Sequence, residues 1–222
     1  MDWTALTLSL WLAFWTVLIL LPISVVVGRW LAYGRFRGKG LVEALVMLPL
    51  VLPPTVLGFY LLVGFGKNST LGSLWQGTFG HPLAFSFEGL VLASVIFNLP
   101  FAIQPTQRGF EAIPVALREA AACCGMSPWR ALWKVDLPLA WPGVLTAMVL
   151  TFAHTLGEFG IVLMVGGSIP GETRTIAIAI YDRVQAFDMG AAGVMAATLV
   201  AISFVTIAAT YWLSARLGRR LT

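Results

Sequence analysis

Apolar positions in this chain fall in long unbroken stretches, not in the alternation of a half-buried strand or the narrow stripe of a surface helix. An α-helix needs about 20 apolar residues to cross a bilayer, and five stretches of that order occur, over 6–27, 41–65, 89–107, 142–166 and 190–213. In lipid each backbone polar group must be satisfied within its own segment or in a closed barrel, and continuous runs favour the helix. The expected fold class is all-α integral membrane with about five transmembrane helices. No linker, shift in composition or internal repeat divides the chain, so a single transmembrane domain over 1–222 is expected.

Composition agrees with lipid as the solvent. Hydrophobic residues make up 59% of the chain and charged ones 11%, against about 25% charged in an ordinary globular domain. The net charge of +4 would hint at nucleic acid in a soluble protein, but here the basic residues sit beside the apolar runs and no nucleic-acid partner is expected. Arg29, Arg35, Arg37 and Lys39 separate the first two spans, Arg108, Arg118, Arg130 and Lys134 the third and fourth, and Arg216, Arg219 and Arg220 follow the fifth. Only Lys67, Arg174 and Arg183 fall on the other side. Basic residues mark the cytoplasmic face, which predicts an outside N-terminus and a cytoplasmic C-terminus. The first run is too long for a signal-peptide core and lacks a basic leader, so it reads as a retained span.

The outer connections are less informative. Residues 67–88, rich in Gly, Ser and Thr, read as an exposed loop. Between 167 and 189 lies an apolar piece, 175–181, too short to span and open to an interfacial or a re-entrant reading. The two cysteines, Cys123 and Cys124, read as small helix residues, since no histidine or second cysteine pair stands near them at metal-ligand spacing; no metal site is expected.

The polar stretch 108–138 is the most organised loop. Pro114 is placed to open a helix and Gly125 to end it in the left-handed region. Ser127 then caps a second helix with Pro128 at its first position, and Leu137-Pro138 is read as its stop. Arg130 and Lys134, four apart, share one face of that second helix. Glu119-Ala120-Ala121-Ala122 offers small side chains and one acidic head to an approaching surface. The run Glu119-Ala120-Ala121, three residues, Gly125, nine residues, then Val135-Asp136-Leu137-Pro138 resembles the E-A-A-x3-G-x9-I-x-L-P loop of binding-protein-dependent ABC importer permeases. It departs only in Val135 where isoleucine is usual. The resemblance implies that Glu119, Ala120, Ala121, Gly125, Val135, Leu137 and Pro138 belong to a coupling loop that docks on a cytoplasmic ABC ATPase; without it, the stretch is an alanine-rich helix capping the bundle.

Polar and helix-breaking residues inside the spans mark a pathway. The second span reads Leu48-Pro49-Leu50-Val51-Leu52-Pro53-Pro54-Thr55, and prolines remove backbone hydrogen bonds and bend a membrane helix. Pro53, Pro54 and Thr55 are therefore candidates for a gate, as is Asn98 of the third span beside Pro100, Gln104 and Pro105. In the fourth span His154 and Glu158, four apart, are expected on one helical face, with Gly157 and Gly160 flanking the acid. An ionisable group in a span faces a pore or a partner, or else sits near the outer interface in water. The proline run followed by Val56-Leu57-Gly58, with Gly157-Glu158-Phe159-Gly160, resembles permeases of molybdate importers, with sulfate and tungstate permeases close behind. A carboxylate would repel a dianion in a low-dielectric passage, so Glu158 and His154 are assigned to gate or wall.

The resemblance implies a homodimer in a bacterial inner membrane, with lipid around it, a periplasmic oxyanion-binding protein outside and ATPase subunits inside. It implies no catalytic residue and no cofactor on this chain, ATP and Mg residing on the ATPase. Gly34 to Lys39 is too short to be a phosphate loop, and two histidines with no H-E-x-x-H or G-x-S-x-G pattern leave little for a membrane enzyme. A free-standing channel or carrier would make the loop spacing an accident.

Overall fold

The computed structural model describes residues 1–218, with the side chains of 211 and 213–218 excluded, so Arg216, Arg219 and Arg220 of the basic C-terminal end lie outside the described side chains. Every regular element among the described residues is helical. The helices are α1 (Trp3–Tyr33), α2 (Lys39–Val51), α3 (Pro54–Phe65), α4 (Thr70–Phe79), α5 (Phe87–Glu111), α6 (Val115–Cys123), α7 (Pro128–Ala131), α8 (Leu137–Leu156), α9 (Gly160–Gly166), α10 (Ile176–Gln185) and α11 (Met189–Gly218), with a π turn over Leu132–Asp136. Among the described residues four helical runs are long and apolar enough to cross a membrane, and a fifth crossing results if α2 and α3 are counted together.

The bundle is built around α5, which packs along both α1 and α8. Its core joins Leu8, Leu12 and Leu20 of α1 to Leu90, Val91, Val95 and Ala102 of α5, with Val162 of α9 and Ile178 of α10 closing it. Helix α5 meets α8 backbone to backbone: a methyl on Gly143 would stand 2.7 Å from the Pro105 carbonyl oxygen and 2.8 Å from Gly109 Cα. Without a hydrophobic driving force between helices in lipid, such small-residue crossings are what bring membrane helices together.

Several boundaries differ from the sequence reading. The second span is not one kinked helix: α2 and α3 meet at an angle of 104°, because Pro53 and Pro54 remove two consecutive amide protons where the turn would continue. The fourth is neither bounded by 142 nor continuous to 166. It starts at Pro128, runs unbroken through α7, the π turn and α8 to Leu156, and stops before Glu158. Pro138 therefore does not stop a helix. The Leu137 amide bonds back to the Leu132 carbonyl, five residues earlier, and this wider turn makes room for the Pro138 ring that an ordinary turn would drive into a carbonyl. Pro114 caps α6 and is not its first residue. The stretch 67–88 contains α4, capped by Ser69, whose hydroxyl accepts from the Gly72 amide at 2.9 Å.

Residues 176–181 open α10, capped by Thr175, and Ile176, Ile178 and Ala179 are buried in the bundle, where α10 packs on α1 and α11. The Ile176 amide donates to Ser9 Oγ of α1 at 2.8 Å. The short apolar run supplies an inner packing face.

Candidate functional site: two broken spans and a coupling loop

Two places carry chemistry beyond packing. The first is where the broken spans meet. Helix α8 ends at Leu156 and α9 begins at Gly160, and a methyl on Gly160 would lie 3.0 Å from Pro54 Cβ. One turn on, a methyl on Gly58 would lie 2.9 Å from Met164 Cβ. Helix α3 thus packs on α9 through glycines, and the Pro53-Pro54-Thr55 corner sits against the Gly157–Gly160 corner. Pro53, Pro54, Thr55 and Gly157 are all exposed in the single chain.

Because α8 stops at Leu156, His154 and Glu158 do not share a helical face, contrary to the four-residue spacing. They are joined instead through α5. Ser94 Oγ donates to Glu158 Oε2 at 3.0 Å. Asn98 Nδ2 donates to the Ser94 carbonyl at 2.9 Å and lies 3.2 Å from Ser94 Oγ. A carbonyl only accepts, which fixes the orientation of the Asn98 amide; its Oδ1 then faces His154 Nδ1 at 3.0 Å, and that nitrogen carries the proton. The His154 ring stacks on Phe101 with centroids 4.0 Å apart. Glu158 is 4% exposed and so is not solvated at an interface. Its Oε1 has no hydrogen-bond partner among the described residues. Spacing alone did not reveal Ser94, an unremarkable serine in an apolar span, as the bridge.

The second place is the loop. Helix α6 ends at Cys123, with Cys124 as its cap, and Gly125 takes φ +69°. The Met126 amide bonds to the Ala121 carbonyl at 3.1 Å and the Gly125 amide to that of Ala122 at 2.9 Å, the paired 6→1 and 5→2 bonds of a Schellman end. Ser127 Oγ accepts from the Arg130 amide at 3.3 Å and opens α7. Glu119 and Ala120 are exposed, whereas Ala121 is buried and turns toward the bundle, so it offers no contact surface. Val135 and Leu137 are half-buried in and beside the π turn, and Pro138 is exposed. Arg130 and Lys134 remain exposed, but the π turn between them breaks the regular four-residue face. Beside Glu119 the loop exposes Val115, Leu117, Trp129 and Trp133. Large apolar side chains on a polar loop are costly to leave in water and mark contact surfaces; their dispersal in sequence hid them.

The family model of the binding-protein-dependent transport system inner membrane component matches residues 21–221. The chain belongs to that family. It is accordingly a multi-pass inner-membrane transport subunit and not an enzyme. This permease is 48% identical over 210 residues to the molybdenum transport system permease protein ModB of Azotobacter vinelandii, which covers 95% of this chain and 93% of that protein. It is 36% identical to the protein of the same name from Escherichia coli K12, over 98% and 95% of the two chains. In fold it is similar to the crystal structure of a bacterial ABC transporter that imports the acidic polysaccharide alginate, with a TM-score of 0.78 at 16% identity over 96% of this chain and 78% of that one.

Proposed function

We propose that the permease forms the path by which molybdate crosses the inner membrane, working as a homodimer and driven by ATP hydrolysis in ABC ATPase subunits that grip the α6–α7 loop. ATP and Mg reside on those subunits and this chain binds no cofactor. Whole-chain similarity to molybdenum permeases supports the cargo. One structural observation carries the mechanism: the loop and the polar break at Glu158 lie at the two ends of a single helical run, Pro128–Leu156, about 43 Å long at 1.5 Å per residue.

A helix of that length moves as a rod. A displacement of α6 and α7 inside reaches Leu156 at the far end, where the Gly157–Gly160 corner is packed on the Pro53-Pro54 corner of α3. Two corners held by glycine contacts and one hydrogen-bonded chain, Glu158–Ser94–Asn98–His154, are suited to two discrete arrangements, closed and parted. The N-terminus lies outside, where a periplasmic oxyanion-binding protein delivers cargo, and the C-terminus lies in the cytoplasm; the distribution of basic residues supports this orientation.

The test is uptake of radiolabelled molybdate by vesicles containing the permease with its ATPase and binding protein, competed by tungstate and by sulfate. ATP-dependent uptake suppressed by unlabelled molybdate and tungstate, but not by sulfate, is expected. Preferential suppression by sulfate moves the cargo to sulfate, and uptake without ATP ends the importer reading.

A further inference from the structure

The inner end of α1 is held to the coupling loop by a pair that no sequence pattern marked. Arg29 donates through Nε to Asp136 Oδ2 at 2.8 Å, and its Nη2 lies 2.8 Å from the same oxygen, across 107 positions of sequence. Nη2 also reaches the carbonyl of Pro128, the first residue of α7, at 3.5 Å. The Asp136 side chain is 3% exposed and that of Arg29 27%. Asp136 occupies the unspecified position of the loop motif and closes the π turn between α7 and α8. One helical turn beyond Arg29, Tyr33 takes the Arg118 guanidinium of α6 over its ring at 3.4 Å and donates its hydroxyl to the Phe110 carbonyl of α5 at 3.3 Å. Beneath them Phe110, Ile113, Leu132 and Ala140 form one apolar cluster with Val25 and Tyr33.

A buried carboxylate is strongly stabilised by an opposite charge, and an ion pair reinforced by a hydrogen bond fixes direction as well as charge. The π turn is where the rod from Pro128 to Leu156 widens to five-residue bonding, and the pair sits on it. We propose that Arg29–Asp136 is a positioning clamp that makes the π turn the fulcrum of the rod, so that force on α6 and α7 tilts α8 instead of sliding the loop across the bundle. The clamp rests on the coupling reading given above. Arg118 on Tyr33 is its second tether, holding α6 to the same end of α1.

The test uses the permease assembled with its ATPase and reads molybdate taken up per ATP hydrolysed. Arg29→Met with Asp136→Leu removes both charges at similar volume and leaves no buried ion unpaired; the complex is expected to assemble and hydrolyse ATP, with uptake per ATP lowered by about tenfold, an ordinary size for an intersite coupling. Arg29→Lys, which keeps the charge and one bond, is expected to recover most of that ratio. A wild-type ratio in the uncharged double variant overturns the clamp, as does an Arg29→Lys ratio no better than that of the double variant. Glu119→Ala separates the two readings. If Glu119→Ala transports normally the coupling reading falls; if it fails while the double variant couples normally, the clamp alone falls.

Discussion

Asn98 is the residue on which the inner polar chain turns. It is fully buried, donates to Ser94 and accepts from His154, so Asn98→Leu leaves His154 Nδ1 without its acceptor, at about 1–3 kcal/mol. The thermal midpoint of the purified complex should drop accordingly; an unchanged midpoint would mean these bonds have no structural weight. Glu158→Ala removes only the acceptor of Ser94 Oγ and should change uptake or its ratio to ATP turnover, whereas wild-type transport would take the carboxylate out of the gate. Gly125 answers to a different constraint. At φ +69° with no atom within 4 Å of an added methyl, Gly125→Ala meets no steric neighbour and bears the left-handed strain alone, roughly 1–2 kcal/mol. A loop deformed by that strain should lose uptake while the permease still reaches the membrane. Normal transport would show that the turn tolerates another geometry.

At the scale of elements, the breaks in helices matter more than their lengths. Two prolines open the corner between α2 and α3, two glycines flank the corner between α8 and α9, and the corners meet. The α5–α8 crossing is set by Gly109 and Gly143, with backbone, not side chain, on both sides; Gly143→Ala has nowhere to place its methyl and should destabilise by about 1–3 kcal/mol, seen as a lower thermal midpoint. The π turn gives a sharper expectation. Deleting Trp133, which is exposed, would return the run to ordinary α-helical bonding and close the wider turn that accommodates the Pro138 ring. Such a permease should assemble in the membrane and fail to couple; retained uptake would show that the wider turn is irrelevant to coupling.

For the whole molecule the proposed orientation places the coupling loop on the cytoplasmic face. Cys123 and Cys124, the chain's two cysteines, lie at the end of α6 and are both exposed, so the native protein carries its own reporter. A membrane-impermeant maleimide should label them only when the cytoplasmic face is accessible, and the bound ATPase should protect them. Labelling from the outside of intact cells would reverse the orientation and remove the coupling role together.

The apolar runs determined that this is a helical membrane protein, and local chemistry determined the loop: proline, serine and glycine act within a few residues of themselves, so the capped α7 and the left-handed end at Gly125 were legible in order along the chain. Asn98, His154 and Glu158 were legible as costly polar groups in lipid. Their connection was not, because hydrogen bonds between spans depend on which faces meet. Ser94 became a bridge, Asp136 a paired ion and Ala121 a buried contact only when α5, α1 and α8 were packed together. The same packing broke the expected His154–Glu158 face: α8 ends at Leu156 and Glu158 accepts from Ser94 of α5 instead. Periodicity reports what one segment prefers; partners across a hundred residues are chosen by close packing and by the cost of leaving a buried charge alone.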